Sequence, residues 1–216
     1  MLFSKTLSLV ASAVAVCAST IPASVQARGS ISVTPHDRYS SSAGVLGCKI
    51  DTNRVAYWPS NVDCNHLCVK VSAKGRSVHL LKVDTSGGAH DISYDAWNYL
   101  VTGKSARDAP TMGGGIDATW ENAPLSDCAH LIKEPKGRLA LSAANGMNFF
   151  GTCGNTKTAL YNIANPVCTR GYDEVCTLAA GANQATCPHT LGSLNALTSQ
   201  PVWNIDYGTG KLSLAV

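Results

Sequence analysis

Short runs of alternating hydrophobic and polar residues dominate the chain, the pattern of half-buried strands. Leu67-Cys68-Val69-Lys70-Val71-Ser72 alternates with period two. It leads through Lys74-Gly75, a hairpin-turn pair, into Ser77–Val83. An earlier run, Arg54–Trp58, is stopped by Pro59, and a later one, Ile116–Trp120, follows three consecutive glycines. Ile31 and Val33 alternate with serines, which predicts an edge strand that Pro35 ends. Only Ser93 to about Thr102 has a clear helical period. Trp97, Leu100 and Val101 fall at i, i+3 and i+4, and Gly103 is placed to cap the C-terminus. Near the end, residues 201–206 and 211–216 flank Tyr207-Gly208-Thr209-Gly210, a hairpin signal. A short helix is expected around Ser142–Phe150. Periodicity elsewhere after residue 128 is weak. Several short strands, glycine turns and no helix–strand alternation predict a mainly β chain built on a small closed barrel, which leaves no exposed edge strand.

Residues 1–27 carry Lys5, an apolar run from Leu7 to Ala18, and Val25-Gln26-Ala27 as a small-residue cleavage site. This three-part pattern predicts a secretory signal peptide, with the mature chain starting near Arg28. No later run approaches the roughly 18 apolar residues of a membrane span. The expected location is therefore extracellular.

That compartment decides how the nine cysteines are read. Cys17 leaves with the leader. Cys48, Cys64, Cys68, Cys128, Cys153, Cys168, Cys176 and Cys187 remain, an even set expected to form four disulfides. Eight cysteines allow on the order of 100 pairings, and spacing does not choose among them. Cys64-Asn65-His66-Leu67-Cys68 clusters zinc-type ligands, but no second knuckle accompanies it, so neither a metal nor a cofactor is expected. The formal net charge of +3 falls by one with Lys5 and forms no basic stripe, so nucleic acid is not an expected partner. Asn-x-Ser/Thr sequons are absent from the sequence.

Candidate chemistry gathers between Leu80 and Leu100, where an apolar run breaks at Ser86-Gly87-Gly88 between two carboxylates. Asp84 precedes the break; Asp91, with His90 beside it, follows. Each has a plain structural role open to it: Asp91 as a cap on the coming helix, Asp84 as an anchor of the Ser86-Gly87 loop. A ligand contact is the other role open to these residues and to His90. Tyr57 and Trp58, at a strand end beside Pro59, read equally as exposed platforms for sugar rings or as core. Trp97 and Trp120 read as core, and Trp203 as either. No Ser-His-Asp set, Gly-x-Ser-x-Gly elbow or phosphate loop stands out.

These residues resemble the double-psi β-barrel family of barwin, the expansins, barwin-type endoglucanases and the rare lipoprotein A group. Val78 to Gly87 is similar to its strand ending in Asp before a glycine loop, with Asp84 at the Asp position. His90-Asp91-Ile92-Ser93, with Ala96 and Leu100, is similar to its His-Asp-Leu-Ser helix start, without the intervening Phe. Ile116 to Cys128 resembles the closing strand, and Cys64 to Lys70 a Cys-x-x-Cys-Val segment with one extra residue. The resemblance spans about residues 39–128. It implies that hydrolytic members pair the Asp91-type acid with a base on the first strand. The region matched to that strand, Tyr39–Ile50, holds no Asp or Glu; Asp37 and Asp51 only flank it.

The expected protein is thus a mainly β, six-stranded double-psi β-barrel over residues 28–128 with one or two short helices. A disulfide-rich segment, 129–216, would pack on it. No catalytic residue is assigned, Asp91 being the candidate acid. The expected function is non-hydrolytic binding of cell-wall polysaccharide in a groove beside Asp91, with Tyr57, Trp58, Asp84 and His90 as further ligand contacts. The alternatives are an effector or inhibitor with an extracellular protein partner, and a lytic enzyme using Asp91 as acid.

Overall fold

Six strands close into a barrel in the computed structural model, which describes residues 28–216. The expected leader, 1–27, lies outside the described residues. The strands are β1 (Arg28–His36), β2 (Val55–Trp58), β3 (Cys68–Ala73), β4 (Arg76–Thr85), β5 (His90–Ser93) and β6 (Ile116–Ala123). Around the barrel they run β1-β5-β2-β4-β3-β6, with β6 returning to β1. The β1–β5 and β2–β4 pairs are parallel and the rest antiparallel, the mixed topology of a double-psi barrel. The expected mainly β fold class is the one found.

Local chemistry explains the hairpin that starts this wall. Lys74 and Gly75 both adopt positive φ, 51° and 77°, as a type I′ turn requires, and β3 and β4 pair from Ala73↔Arg76 outward. The helix α1 (Tyr94–Thr102) ends where expected: Gly103 has φ 79°, and its N–H donates to the Tyr99 carbonyl at 2.8 Å. Its first turn is tied down by Asp95, whose carboxylate accepts from Arg54 Nη1 (2.7 Å), Ser105 Oγ (2.6 Å) and Ala106 N–H (2.7 Å).

Two hydrophobic clusters divide along the strand alternation. Val33, Ala56, Trp58, Val69, Val71, Leu80 and Ile92 fill the barrel interior with Trp97 and Leu100 of α1. Val55, Tyr57, Leu81 and Val83 form a second cluster with Leu131, Leu139, Leu141, Leu160 and Ile163. Chain beyond residue 128 therefore covers one barrel wall. It holds a three-stranded sheet of β7 (Leu139–Ser142), β8 (Thr158–Ile163) and β9 (Gly171–Val175), the helix α2 (Met147–Cys153), and a hairpin of β10 (Trp203–Ile205) and β11 (Leu212–Leu214). Disulfides Cys48–Cys168 and Cys64–Cys153 join this chain to the barrel region; Cys68–Cys128 and Cys176–Cys187 complete the four. No helix among the described residues is long and apolar enough to cross a membrane.

Four local expectations are corrected. β1 is no edge strand of an open sheet, because Arg28–Val33 pair with β6 and Val33–His36 pair with β5, which closes the barrel. Pro35 lies inside β1, two residues past the last β6 partner, where its missing N–H costs that ladder nothing. His90–Ser93 is a strand before it is a helix start. The second helix covers Met147–Cys153, while Leu139–Ser142 is drawn into parallel pairing with β8.

Candidate functional site

Strand register lines up four polar residues across the barrel wall. Thr34 of β1 is opposite Asp91 of β5, Asp91 is opposite Tyr57 of β2, and Tyr57 is opposite Asp84 of β4. Neighbouring strands are about 4.8 Å apart, which puts the two aspartates on the order of 10 Å apart, with the tyrosine between them. Thr34 Oγ1 donates to Asp91 Oδ1. Thr34 was not among the expected site residues, since only the long-range β1–β5 pairing brings it to Asp91.

Asp84 is held from three directions. Its Oδ1 accepts from Ser42 N–H and Thr85 N–H, both at 2.8 Å, and Oδ2 accepts from Ser40 Oγ at 2.5 Å. Partial burial pushes its carboxyl up, but these hydrogen bonds together outweigh it and leave the group below the usual carboxylate range. Asp84 thus anchors residues 40–42 over the wall rather than tying down Ser86-Gly87.

Asp91 is not a helix cap. It sits in β5, two residues before the N-cap position Ser93, whose own hydroxyl donates to the Asn53 carbonyl at 2.6 Å. His90 is half-buried, its ring edge-on to Trp58 at 4.9 Å. Burial pulls the imidazole below its usual pKa while the Asp91 charge opposes the shift.

The expected aromatic platforms are corrected. Tyr57 and Trp58 are each only 4% exposed. The strand does stop at Pro59, but one face of β2 turns into the barrel interior and the other packs into the outer cluster. Trp58 turns into the barrel interior against Trp120, with ring centroids 5.9 Å apart. Tyr57 lies under the chain that follows β1, its hydroxyl donating to the Arg38 carbonyl at 3.1 Å and its ring 4.5 Å from His36. Burial raises the Tyr57 hydroxyl well above its ordinary range; the Ser40 backbone opposes this, and the Asp84 and Asp91 charges add to it. Trp97 is core at 1% exposed, Trp120 is half-buried, and Trp203 is 46% exposed.

The resemblance matched the first strand to Tyr39–Ile50, whereas the first barrel strand is Arg28–His36. That strand also lacks Asp and Glu. Chemically the row offers acceptors and hydroxyls. A water-activating base needs a free oxygen and a pKa near the working pH. Asp84 has both oxygens engaged and a lowered pKa. Among the described residues, no cluster of three or more His, Cys, Asp or Glu is arranged to hold a metal ion. The broadest concavity described, about 820 Å³, lies elsewhere, on the polar β1–β6–β3 wall around Ser32, Ser72, Lys70, Asp117 and Thr119. In the strand order that wall is opposite β2.

No family model matches the chain, and no curated protein matches it. Among solved structures the chain is similar to cerato-platanin 3 and cerato-platanin 2 from M. perniciosa, at 16% and 18% identity and a TM-score of 0.33 for each. Each match covers 46% of this chain and 98% of the other.

Proposed function

We propose that this chain is a secreted, non-hydrolytic protein that binds cell-wall polysaccharide at the surface carrying Asp91, His90 and Asp84. The observation that carries the reading is the state of the two carboxylates. Asp84 is locked by three donors, and Asp91 is oriented by Thr34 with its second oxygen unpartnered among the described residues. An oriented carboxylate beside Ser and Thr hydroxyls and an imidazole can accept and donate to sugar hydroxyls without supplying a pair of carboxylates for bond cleavage. Recognition at this surface is polar, since Tyr57 and Trp58 are built into the fold.

The test is retention on insoluble cellulose, chitin and β-glucan, with release of soluble fragments measured in the same tubes. Retention without release is expected, weakened on the order of tenfold in Asp91→Asn. Failure to be retained on all three polymers sinks the reading. Release of soluble fragments that disappears in Asp91→Asn would instead establish a lytic activity.

A further inference from the structure

The one strongly exposed indole among the described residues belongs to Trp203, in the hairpin that closes the chain. Its neighbours form a crevice. Trp203, Asp51, Thr52, Asn53, Lys133 and Gln200 line an open concavity of about 310 Å³. That is the lower end of the volume range of small-molecule sites. A second, much smaller concavity shares Thr52, Asn53 and Trp203, so the indole stands on the lip between the two.

The polar lining is under-used. Asp51 spends Oδ1 on the Asn53 N–H at 3.0 Å, and Gln200 donates to Asp173. Among the described residues, the Lys133 ammonium, the Asn53 side-chain amide, the Thr52 hydroxyl and the Trp203 N–H have no hydrogen-bond partner. Asp51 and Lys133 bring one charge of each sign, so the crevice has no net field favouring an ionic ligand. It is formed between the turn before β2 and the chain leading into β10, held in place by the β10–β11 pairing Trp203↔Leu214.

We infer that this crevice is a saccharide subsite in which Trp203 stacks on a pyranose ring and the five polar residues take its hydroxyls. A β-1,4-linked chain of gluco configuration fits the chemistry. Its rings carry equatorial hydroxyls at the rim and axial C–H groups on both faces, so a flat indole meets apolar surface while donors and acceptors meet the edge. The subsite does not use Asp91 and stands independently of the surface proposed above.

Titration of the full mature chain with cellohexaose and chitohexaose, followed by tryptophan fluorescence, reads it directly. Trp58 and Trp97 are 4% and 1% exposed and Trp120 is half-buried, so a change on ligand addition that is lost in Trp203→Phe reports on Trp203. Saturable change is expected in the unmodified protein and in Asp91→Asn. Trp203→Ala should weaken binding, followed by calorimetry, on the order of tenfold or more, and Trp203→Phe should restore most of it. Leu212→Ala, on the same hairpin and 46% exposed, should bind as the unmodified protein does and controls for the fold. Undiminished binding by Trp203→Ala overturns the subsite, as does the absence of binding by the unmodified protein to either hexaose. Loss in Asp91→Asn with retention in Trp203→Ala would assign saccharide binding to the Asp91 surface alone.

Discussion

Replacing Asp84 by alanine should destabilise the protein in a way that depends on pH. The substitution removes an ionised acceptor of three hydrogen bonds, from Ser40 Oγ, Ser42 N–H and Thr85 N–H. A hydrogen bond to a charged group contributes about 1.5–3 kcal/mol, but Ser40, Ser42 and Thr85 are exposed, so water recovers most of the donors. The expected net cost is about 2–3 kcal/mol at pH 7, a sizeable part of the roughly 5–15 kcal/mol a domain has. Asp84→Asn keeps the Oδ1 acceptor for both N–H groups and should cost about half as much. The sign of the pH dependence follows from the direction of the shift. The folded-state pKa is depressed, so the contribution is present in full above the unfolded carboxylate value and is lost as pH falls through the folded one. Guanidinium unfolding of the unmodified protein and both variants at pH 7 and in a series below about pH 4 should show the difference shrinking in the acid range. Other carboxylates titrate equally in all three proteins and cancel. A cost that is unchanged from pH 7 into acid, or one below about 0.5 kcal/mol at pH 7, would refute the anchoring role.

Three further outcomes are expected. Asp95→Ala strands the Arg54 guanidinium and the donors of Ser105 and Ala106 at the α1 entry, and should lower unfolding free energy by about 3–4 kcal/mol in denaturant titration. Replacing Cys48 and Cys168 together by alanine opens a bridge of separation 120 that encloses the Cys64–Cys153 bridge of separation 89. Only the remaining stretch is newly released, so the chain-entropy cost should be about 3–4 kcal/mol, read as a drop in unfolding midpoint with the other bridges intact. Gly75→Ala puts a side chain at φ 77° with open space around it, and should cost about 1 kcal/mol from backbone strain alone, with the barrel's circular-dichroism spectrum unchanged.

Short-range chemistry is what the sequence carries most clearly. Lys74-Gly75 specifies the β3–β4 hairpin because both positions need positive φ, Gly103 ends α1 for the same reason, and Tyr207 to Gly210 sets the last hairpin. Each depends on residues within a few positions of one another. The resemblance extended this to the barrel, because its motifs fall on the strand–loop–strand passage from Val78 to Ser93. Burial was harder to read. Tyr57 and Trp58 have the same local sequence whether they end at a surface or under a loop, and only the packing of β4, β5 and the chain after β1 decides for the core.

The sequence by itself thus determined the turn positions, the limits of α1 and the even set of eight cysteines. Only the tertiary structure decided that β1 is interior to the sheet, that Thr34, Asp91, Tyr57 and Asp84 share one row, and that β7, β8 and β9 form a sheet over the barrel wall. It likewise chose one set of four disulfides. The physical reason is common to all of these. Each is a contact between segments tens of residues apart, selected by which apolar faces can be buried together, and no local propensity encodes that choice.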